Sequence, residues 1–174
     1  MSLTDTARIL YGALKPHAVV IGGICASMHG VERFTRDVDL ATTLESDQVI
    51  AALHQVGIAA EVVRGGALDP LPWVIKGSHE GIPFQVLPAG RIGVDPDRAV
   101  VRVDIGFASE HDFIVSKCLA GGQQDLHDVA VLALIRPDLL PFAETQADAH
   151  GCRDKLDAWL DDQRLRSRYS RQRT

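Results

Sequence analysis

Apolar residues recur along this chain with two spacings, one typical of helices and one of strands. Helical spacing predicts helices at 3–15, 45–56, 109–121, 125–135 and 153–163. Short aliphatic or alternating runs predict strands at 18–22, 33–41, 58–64 and 100–107, and a hairpin over 73–89. Within 33–41, Phe34, Val38 and Leu40 fall on one side and polar residues on the other, which is typical of a half-buried strand.

The order of these elements predicts an α/β (α+β) fold, with a mixed twisted sheet flanked by helices and a helical C-terminal part. A length of 174 residues matches one ordinary domain, and no linker divides it, so we expect a single domain over 1–163. The segment 164–174 contains five arginines, although the formal net charge of the chain is −5. Two interpretations of this tail remain open, a flexible solvated terminus and an RNA-contacting segment.

Composition bounds the compartment in which the protein is expected to work. The chain is 46% hydrophobic and 24% charged, which is typical of a folded globular protein. It has no apolar run near the ~20 residues that span a bilayer, and MSLTDTARILYGALK lacks the basic and apolar regions of a leader, so we expect no secretion. Cys25, Cys118 and Cys152 are widely separated and form no CxxC pair, so neither a disulfide framework nor a zinc site is predicted. We therefore expect a cytoplasmic protein without a membrane segment.

Two short motifs suggest chemistry when they are considered together. On a strand Asp37 and Asp39 point to the same side with Cα atoms about 6–7 Å apart, so the two like charges call for a cation such as Mg²⁺. Considered alone, Asp37 and Asp39 are equally consistent with an edge strand whose polar side faces solvent. Upstream, however, a strand ends in Gly22 and Gly23 and a short helix begins, where free N–H groups attract phosphate. An anion-binding turn and a cation-binding pair thus lie on successive elements.

These motifs resemble the polymerase-beta-like nucleotidyltransferases, in which a hydrophobic-G-[GS] turn precedes D-x-[DE] by about ten to thirteen residues. The segment from Gly30 to Leu40 is similar to the G-x-x-R-x-T-x-D-x-D-L pattern of the small bacterial abortive-infection members, which belong to type IV toxin-antitoxin systems. A second stretch, 112–132, resembles the lysine helix and D-x-x-D of that subgroup, with Lys117, Asp125 and Asp128 in those positions. The resemblance implies a nucleotidyltransferase fold.

The resemblance also implies roles for individual residues. Gly22 and Gly23 would contact the phosphates of the nucleotide, and Asp37 and Asp39 would bind Mg²⁺ or Mn²⁺ and carry catalysis. Lys117 would neutralise a phosphate or position the nucleotide. The remaining nucleotide-binding positions are Arg33, Thr35, Asp125 and Asp128. Structural alternatives stay open for Lys117, as a surface lysine, and for Asp125, as the N-cap of a helix.

The sequence departs from the pattern at the third carboxylate of active members. Alignment of the strand GIPFQVL puts Gln85 where that acid is expected, and a neutral amide can ligate a metal through its oxygen but is no general base. Asp104, in VRVDIG, is a second candidate for the missing ligand, and its alternative is a pair with Arg102 or a neighbouring strand.

The leading hypothesis is a metal-dependent transfer of a nucleoside monophosphate from an NTP to a hydroxyl of RNA, a protein or a small molecule, in a toxin-antitoxin setting with a cognate antitoxin as partner. The alternative is a catalytically weakened member of the same fold that binds nucleotide, RNA or a protein partner. A third possibility is a domain that binds no nucleotide.

Overall fold

The computed structural model describes residues 2–170, and within them the chain forms a seven-stranded sheet and eight α-helices. The strands are Ala18–Ile21 (β1), Val38–Thr42 (β2), Ala60–Arg64 (β3), Trp73–His79 (β4), Ile82–Pro88 (β5), Val100–Arg102 (β6) and Ile105–Phe107 (β7). The helices are Leu3–Leu14 (α1), Gly22–Met28 (α2), Ser46–Gln55 (α3), Glu110–Ala120 (α4), Gln123–Ile135 (α5), Leu140–Ala149 (α6), Arg153–Leu160 (α7) and Gln163–Ser170 (α8). Short 3₁₀ turns lie at Ala89–Arg91, Pro96–Arg98 and Pro137–Leu139.

The sheet is mixed and has the order β3-β4-β5-β2-β1-β7-β6. Strands β2 and β5 run parallel, as do β1 and β7, while β1 and β2 are antiparallel. The pair β1 and β2 therefore forms the centre, and the register sets Ile21 at the end of β1 opposite Asp39 at the start of β2. This register brings the diglycine turn and the acidic pair to the same end of the sheet.

The core explains why the central strands are aliphatic. All four residues of β1 are buried, as are Leu40 of β2 and Val86 of β5. Helix α1 packs on β1, β2 and β7, and α3 packs on α1, β3 and β4. Helices α4 to α8 form a C-terminal bundle around α5, most of whose residues are buried. The predicted α/β architecture with a helical C-terminal part is thus confirmed.

Two strand predictions were wrong. The segment 33–37 forms no strand, and pairing begins only at Val38, so Phe34 is 80% exposed instead of facing the core. The predicted strand 100–107 is a hairpin, because Val103 and Asp104 turn the chain with φ angles of 51° and 62°. The alternation of VVRVDIGF continues through this turn, and neither of its two turn residues is glycine or asparagine, which are the usual signals.

The C-terminal part contains two helices that the pattern did not predict, α6 and α8, and α7 ends at Leu160 instead of residue 163. Within the predicted flexible tail, residues up to 170 form α8, which packs on α5 and α7 and buries Tyr169. The last four residues of the tail lie outside the described residues. Its flexibility therefore stays a prediction.

The hairpin turn provides a stability prediction. A β-branched residue with positive φ costs about 1–3 kcal/mol, whereas asparagine tolerates this conformation. We expect Val103→Asn to raise the free energy of unfolding by about 1 kcal/mol, measured by urea denaturation. Val101→Asn is the matched control, since Val101 lies on β6 and is 64% exposed against 74% for Val103. An equal gain in both variants would show that the effect does not come from the turn.

Candidate functional site

The diglycine turn lies directly against the second acid of the pair. Gly22 follows β1 with φ +65°, and a Cβ built on it would lie 2.2 Å from Oδ2 of Asp39. Any side chain at position 22 would therefore displace the carboxylate, and glycine also permits this left-handed backbone. The two motifs that the sequence separates by a loop thus converge in space, as predicted.

Gly23 has a similar reason to lack a side chain. A Cβ there would lie 2.6 Å from Cβ of Thr35, so the segment 33–37 runs directly over the start of α2. The hydroxyl of Thr35 in turn donates to Oδ1 of Asp37 at 2.6 Å. Thr35 therefore holds the first acid in place while it packs on the glycine turn.

The carboxylate of Asp39 is half-buried, and the described residues donate it no hydrogen bond. Burial is the main cause that raises its pKa from an ordinary value of 3.8 to about 6, and the negative charge of Asp37 adds to this. The charges of Lys117 and Arg33 lower the pKa in part. The pair is therefore an electrostatically strained anionic centre.

Four predicted site residues form one ion-pair network beside the acids. Asp128 is completely buried and accepts from Arg33 at 2.6 Å, and Nζ of Lys117 lies 3.1 Å from the same carboxylate oxygen. Lys117 also donates to Asp125 at 2.7 Å. Since Lys117 is only 7% exposed, it is a buried, paired lysine and not a surface one. Asp125 does not cap α5, because Gly122 holds the N-cap position.

A cavity of about 200 Å³ joins these groups. Its lining includes Gly22 and Asp39 from the sheet end and Lys117 and Asp125 from the helical bundle. Ser116 and Ile92 also line the cavity, and sequence reasoning missed both. Ser116 directly precedes Lys117, which is a usable signal, whereas Ile92 follows a 3₁₀ turn and carries no motif.

The two candidates for a third ligand lie in different places. Gln85 on β5 is in register with Asp39 on β2, so it neighbours the acidic pair on the same face of the sheet. Asp104 lies in the exposed turn that precedes the first residue of β7. Strand β7 runs parallel to β1 with Phe107 opposite Val20, so the last residue of β7 is the one nearest the acids. Asp104 is therefore too far away, on the opposite end of the sheet, to complete the site.

The donor set can be tested against a divalent cation. In the network Arg33 and Lys117 balance Asp125 and Asp128, which leaves Asp37 and Asp39 without a full counter-charge. The part of the chain that the structure describes has no cluster of three or more His, Cys, Asp or Glu side chains suited to a metal. Mg²⁺ commonly uses only one or two protein carboxylates together with substrate phosphates, so the residues present fit such an ion.

The topology, in which a glycine turn at the end of one central strand meets acids at the start of the next, is the nucleotidyltransferase-like fold that the motifs predict. Residues 8–172 match the family model described as "Nucleotidyl transferase AbiEii toxin, Type IV TA system". The chain belongs to this family, which confirms the resemblance seen in the sequence.

Solved structures show further similarity at low identity. JHP933 from Helicobacter pylori is 13% identical, with 97% of this chain and 91% of that chain covered and a TM-score of 0.48. A putative nucleotidyltransferase from H. pylori is 14% identical, with 98% and 95% covered and a TM-score of 0.47. ANT(2")-Ia in complex with adenylyl-2"-tobramycin is 13% identical, with 99% and 98% covered and a TM-score of 0.41. No curated protein matches the chain.

A search of residues 2–170 for membrane-spanning segments finds no helix that combines the length and the apolar character needed to cross a bilayer.

The raised pKa of Asp39 predicts a pH-dependent stability of the metal-free protein. Between about pH 4 and 6 the folded state binds more protons than the unfolded state, so stability falls as pH rises through this range. Asp39→Asn removes the charge, and we expect it to raise the free energy of unfolding at pH 7 by about 1–3 kcal/mol and to add little at pH 4. Urea denaturation in EDTA at both pH values measures this.

Asp47→Asn, at an exposed position of α3, is the matched control and should show no such pH-dependent gain. A gain for Asp39→Asn that is equal at pH 4 and pH 7 would contradict the electrostatic explanation.

Proposed function

We propose that this protein is a metal-dependent nucleotidyltransferase that transfers a nucleoside monophosphate from an NTP to a hydroxyl of RNA, a protein or a small molecule. The observation that carries the proposal is the contact of the Gly22 backbone with Asp39 in a cavity that Lys117 also lines. An anion-binding backbone, two carboxylates and a buried cation are the groups that phosphoryl transfer requires.

In this proposal the turn and the lysine bind the triphosphate. Gly22 and Gly23 bring the backbone close to the phosphates at the start of α2, and Lys117 presents its ammonium from α4. Asp125 and Asp128 hold that ammonium in place, with both distances near 3 Å. Arg33 and Thr35 position the segment that carries Asp37, through Asp128 and through the Thr35 hydroxyl.

Mg²⁺, or Mn²⁺, fits Asp37 and Asp39, with the side-chain oxygen of Gln85 as a neutral third ligand. When bound, the ion supplies positive charge to the phosphates and the leaving group. The proposed reaction forms one bond between the acceptor oxygen and the α-phosphorus and breaks the bond to the bridging oxygen, which releases pyrophosphate. The proton of the acceptor hydroxyl passes to a carboxylate or to water, since an amide at Gln85 accepts none at neutral pH.

Family membership supports a biological setting. The family description names a toxin of a type IV toxin-antitoxin system. We therefore propose a cognate antitoxin as partner and action in the cytoplasm, where the three free, buried cysteines stay reduced.

A second candidate function is favoured by one observation, the position of Gln85 beside Asp39. A protein that lacks the third carboxylate could bind nucleotide with magnesium and transfer it slowly or not at all.

Thermal-shift measurements with each NTP and magnesium distinguish binding from its absence, since a ligand that binds only the native state must stabilise it. No shift with any NTP would contradict both candidate functions.

Transfer itself is tested with labelled NTPs, magnesium and total RNA or protein. We expect wild type to label an acceptor and Asp37→Ala to abolish the label, because the variant loses a carboxylate at the phosphates and the acceptor of the Thr35 hydroxyl. Asp47→Ala is the control and should label as wild type does. Labelling that persists in Asp37→Ala would contradict the proposed site.

Restoring the third acid gives an opposite expectation. Gln85→Glu adds a carboxylate beside Asp39 at nearly unchanged side-chain volume. We expect the transfer rate to rise at least about tenfold. A well-positioned general base contributes about 10²–10⁴-fold, so this expectation is below the full effect. Gln55→Glu makes the same change at an exposed end of α3 and should leave the rate unaltered. A slower Gln85→Glu enzyme would indicate that the amide is required as it stands.

A further inference from the structure

An exposed aromatic ring lies at the rim of the candidate site. Phe34 is 80% exposed. The other large hydrophobic side chains that are exposed within residues 2–170 are aliphatic. Phe34 lies three residues before Asp37, so their Cα atoms are at most about 10 Å apart. Phe34 contributes nothing to the core and nothing to the ion-pair network, so its position needs another explanation.

The exposure of Phe34 is fixed by its neighbours. The odd-numbered residues of the segment face inward, where Arg33 bonds Asp128 and Thr35 packs on Gly23 and bonds Asp37. The even-numbered residues Phe34 and Arg36 are exposed, whereas the odd-numbered residues are partly buried. The ring is thus presented by a segment that is anchored at the residues on either side of it.

A cationic side chain, that of Arg36, lies on the ring of Phe34 on the same exposed side of the segment. The guanidinium of Arg36 lies 5.3 Å from the centroid of Phe34, within the range of a cation–π contact. An exposed aromatic face next to a planar cation is the arrangement on which unpaired nucleobases stack, with the cation close to the phosphate backbone.

Helix α8 extends this surface with positive charge. Glu32, the next outward residue, forms an ion pair with Arg168 of α8, and this contact places the helix beside the segment. Arg164 and Arg166 on the same helix are exposed as well, and Arg166 is also paired with Asp161 at 2.9 Å. On a chain of net charge −5, such a concentration of arginines beside an aromatic ring is complementary to a polyanion.

We propose that Phe34 and Arg36 form a stacking platform for an unpaired nucleotide of an acceptor RNA, whose neighbouring phosphates contact the exposed arginines of α8. The inference rests on the proposed function, because it names single-stranded RNA as the acceptor of that reaction. The platform lies outside the cavity that holds Asp39, so RNA binding at the platform requires neither NTP nor magnesium.

The test measures binding of a fluorescent single-stranded RNA of about 12 nucleotides, of mixed sequence, by fluorescence anisotropy in EDTA. We expect Phe34→Ala to weaken affinity at least about fivefold, the lower end of what base stacking contributes. Phe34→Trp should bind as tightly as wild type or more tightly. Leu68→Ala is the control for loss of an exposed apolar side chain, since Leu68 is 100% exposed, and should bind as wild type does.

Several outcomes would overturn the proposal. An affinity of Phe34→Ala equal to that of wild type, or no RNA binding by wild type at low salt, would show that the ring serves another contact, such as one with a protein partner. An RNA duplex of the same length that binds as tightly and is equally sensitive to Phe34→Ala would exclude stacking. Since Phe34 is exposed, circular dichroism of the variant should match that of wild type.

Asp39→Asn separates this proposal from the proposed function, because it changes an acid of the cavity and keeps the Thr35–Asp37 hydrogen bond that anchors the segment. We expect this variant to bind the single-stranded RNA with wild-type affinity while transferring no nucleotide. If wild type binds RNA in a Phe34-dependent manner but labels no acceptor, the platform is supported and the nucleotidyltransferase activity is contradicted. If wild type labels RNA and Phe34→Ala labels it equally well at low RNA concentration, the platform is overturned and the activity stands.

Discussion

The close approach of the Gly22 backbone to the Asp39 carboxylate is the constraint on which the site depends. It requires a residue without a side chain at the end of β1 and an antiparallel neighbour whose register sets Asp39 opposite Ile21. Apart from Asp39 and Thr42, the residues of both central strands are aliphatic, because these strands are buried in the interior of the sheet. Much of the local sequence from 18 to 42 follows from this one contact.

Charge is distributed unequally around that contact. Arg33, Lys117, Asp125 and Asp128 compensate one another, and burial of Asp128 is tolerated because two cations share its carboxylate. Within residues 2–170 the acidic pair has no such ion pair, and burial, together with the charge of Asp37, raises the pKa of Asp39. A neutral set of ion pairs thus lies beside an anionic centre that lacks a full counter-charge, which is where the proposed Mg²⁺ would bind.

Local sequence predicted most elements because their patterns are short-range. The diglycine turn, the acid pair and the helix that carries Lys117 each have their own signal, and the structure brings them together. The turn at Val103 and Asp104 was not predicted, since the β-branched Val103 is not a turn former and Asp104 is not followed by glycine. The exposure of Phe34 was missed for a related reason. Alternation predicts two faces, but pairing partners across the sheet decide which residues join it.

The ion-pair network also has a consequence for biosynthesis. Arg33 is joined to Asp128, ninety-five residues later in the chain, and the cavity needs Lys117 from the same late region. A ribosome delivers the glycine turn and both acids long before it delivers the groups that close the pocket. A nascent chain, or one terminated before α5, therefore lacks a complete site, and assembly of the pocket coincides with the docking of α4 and α5.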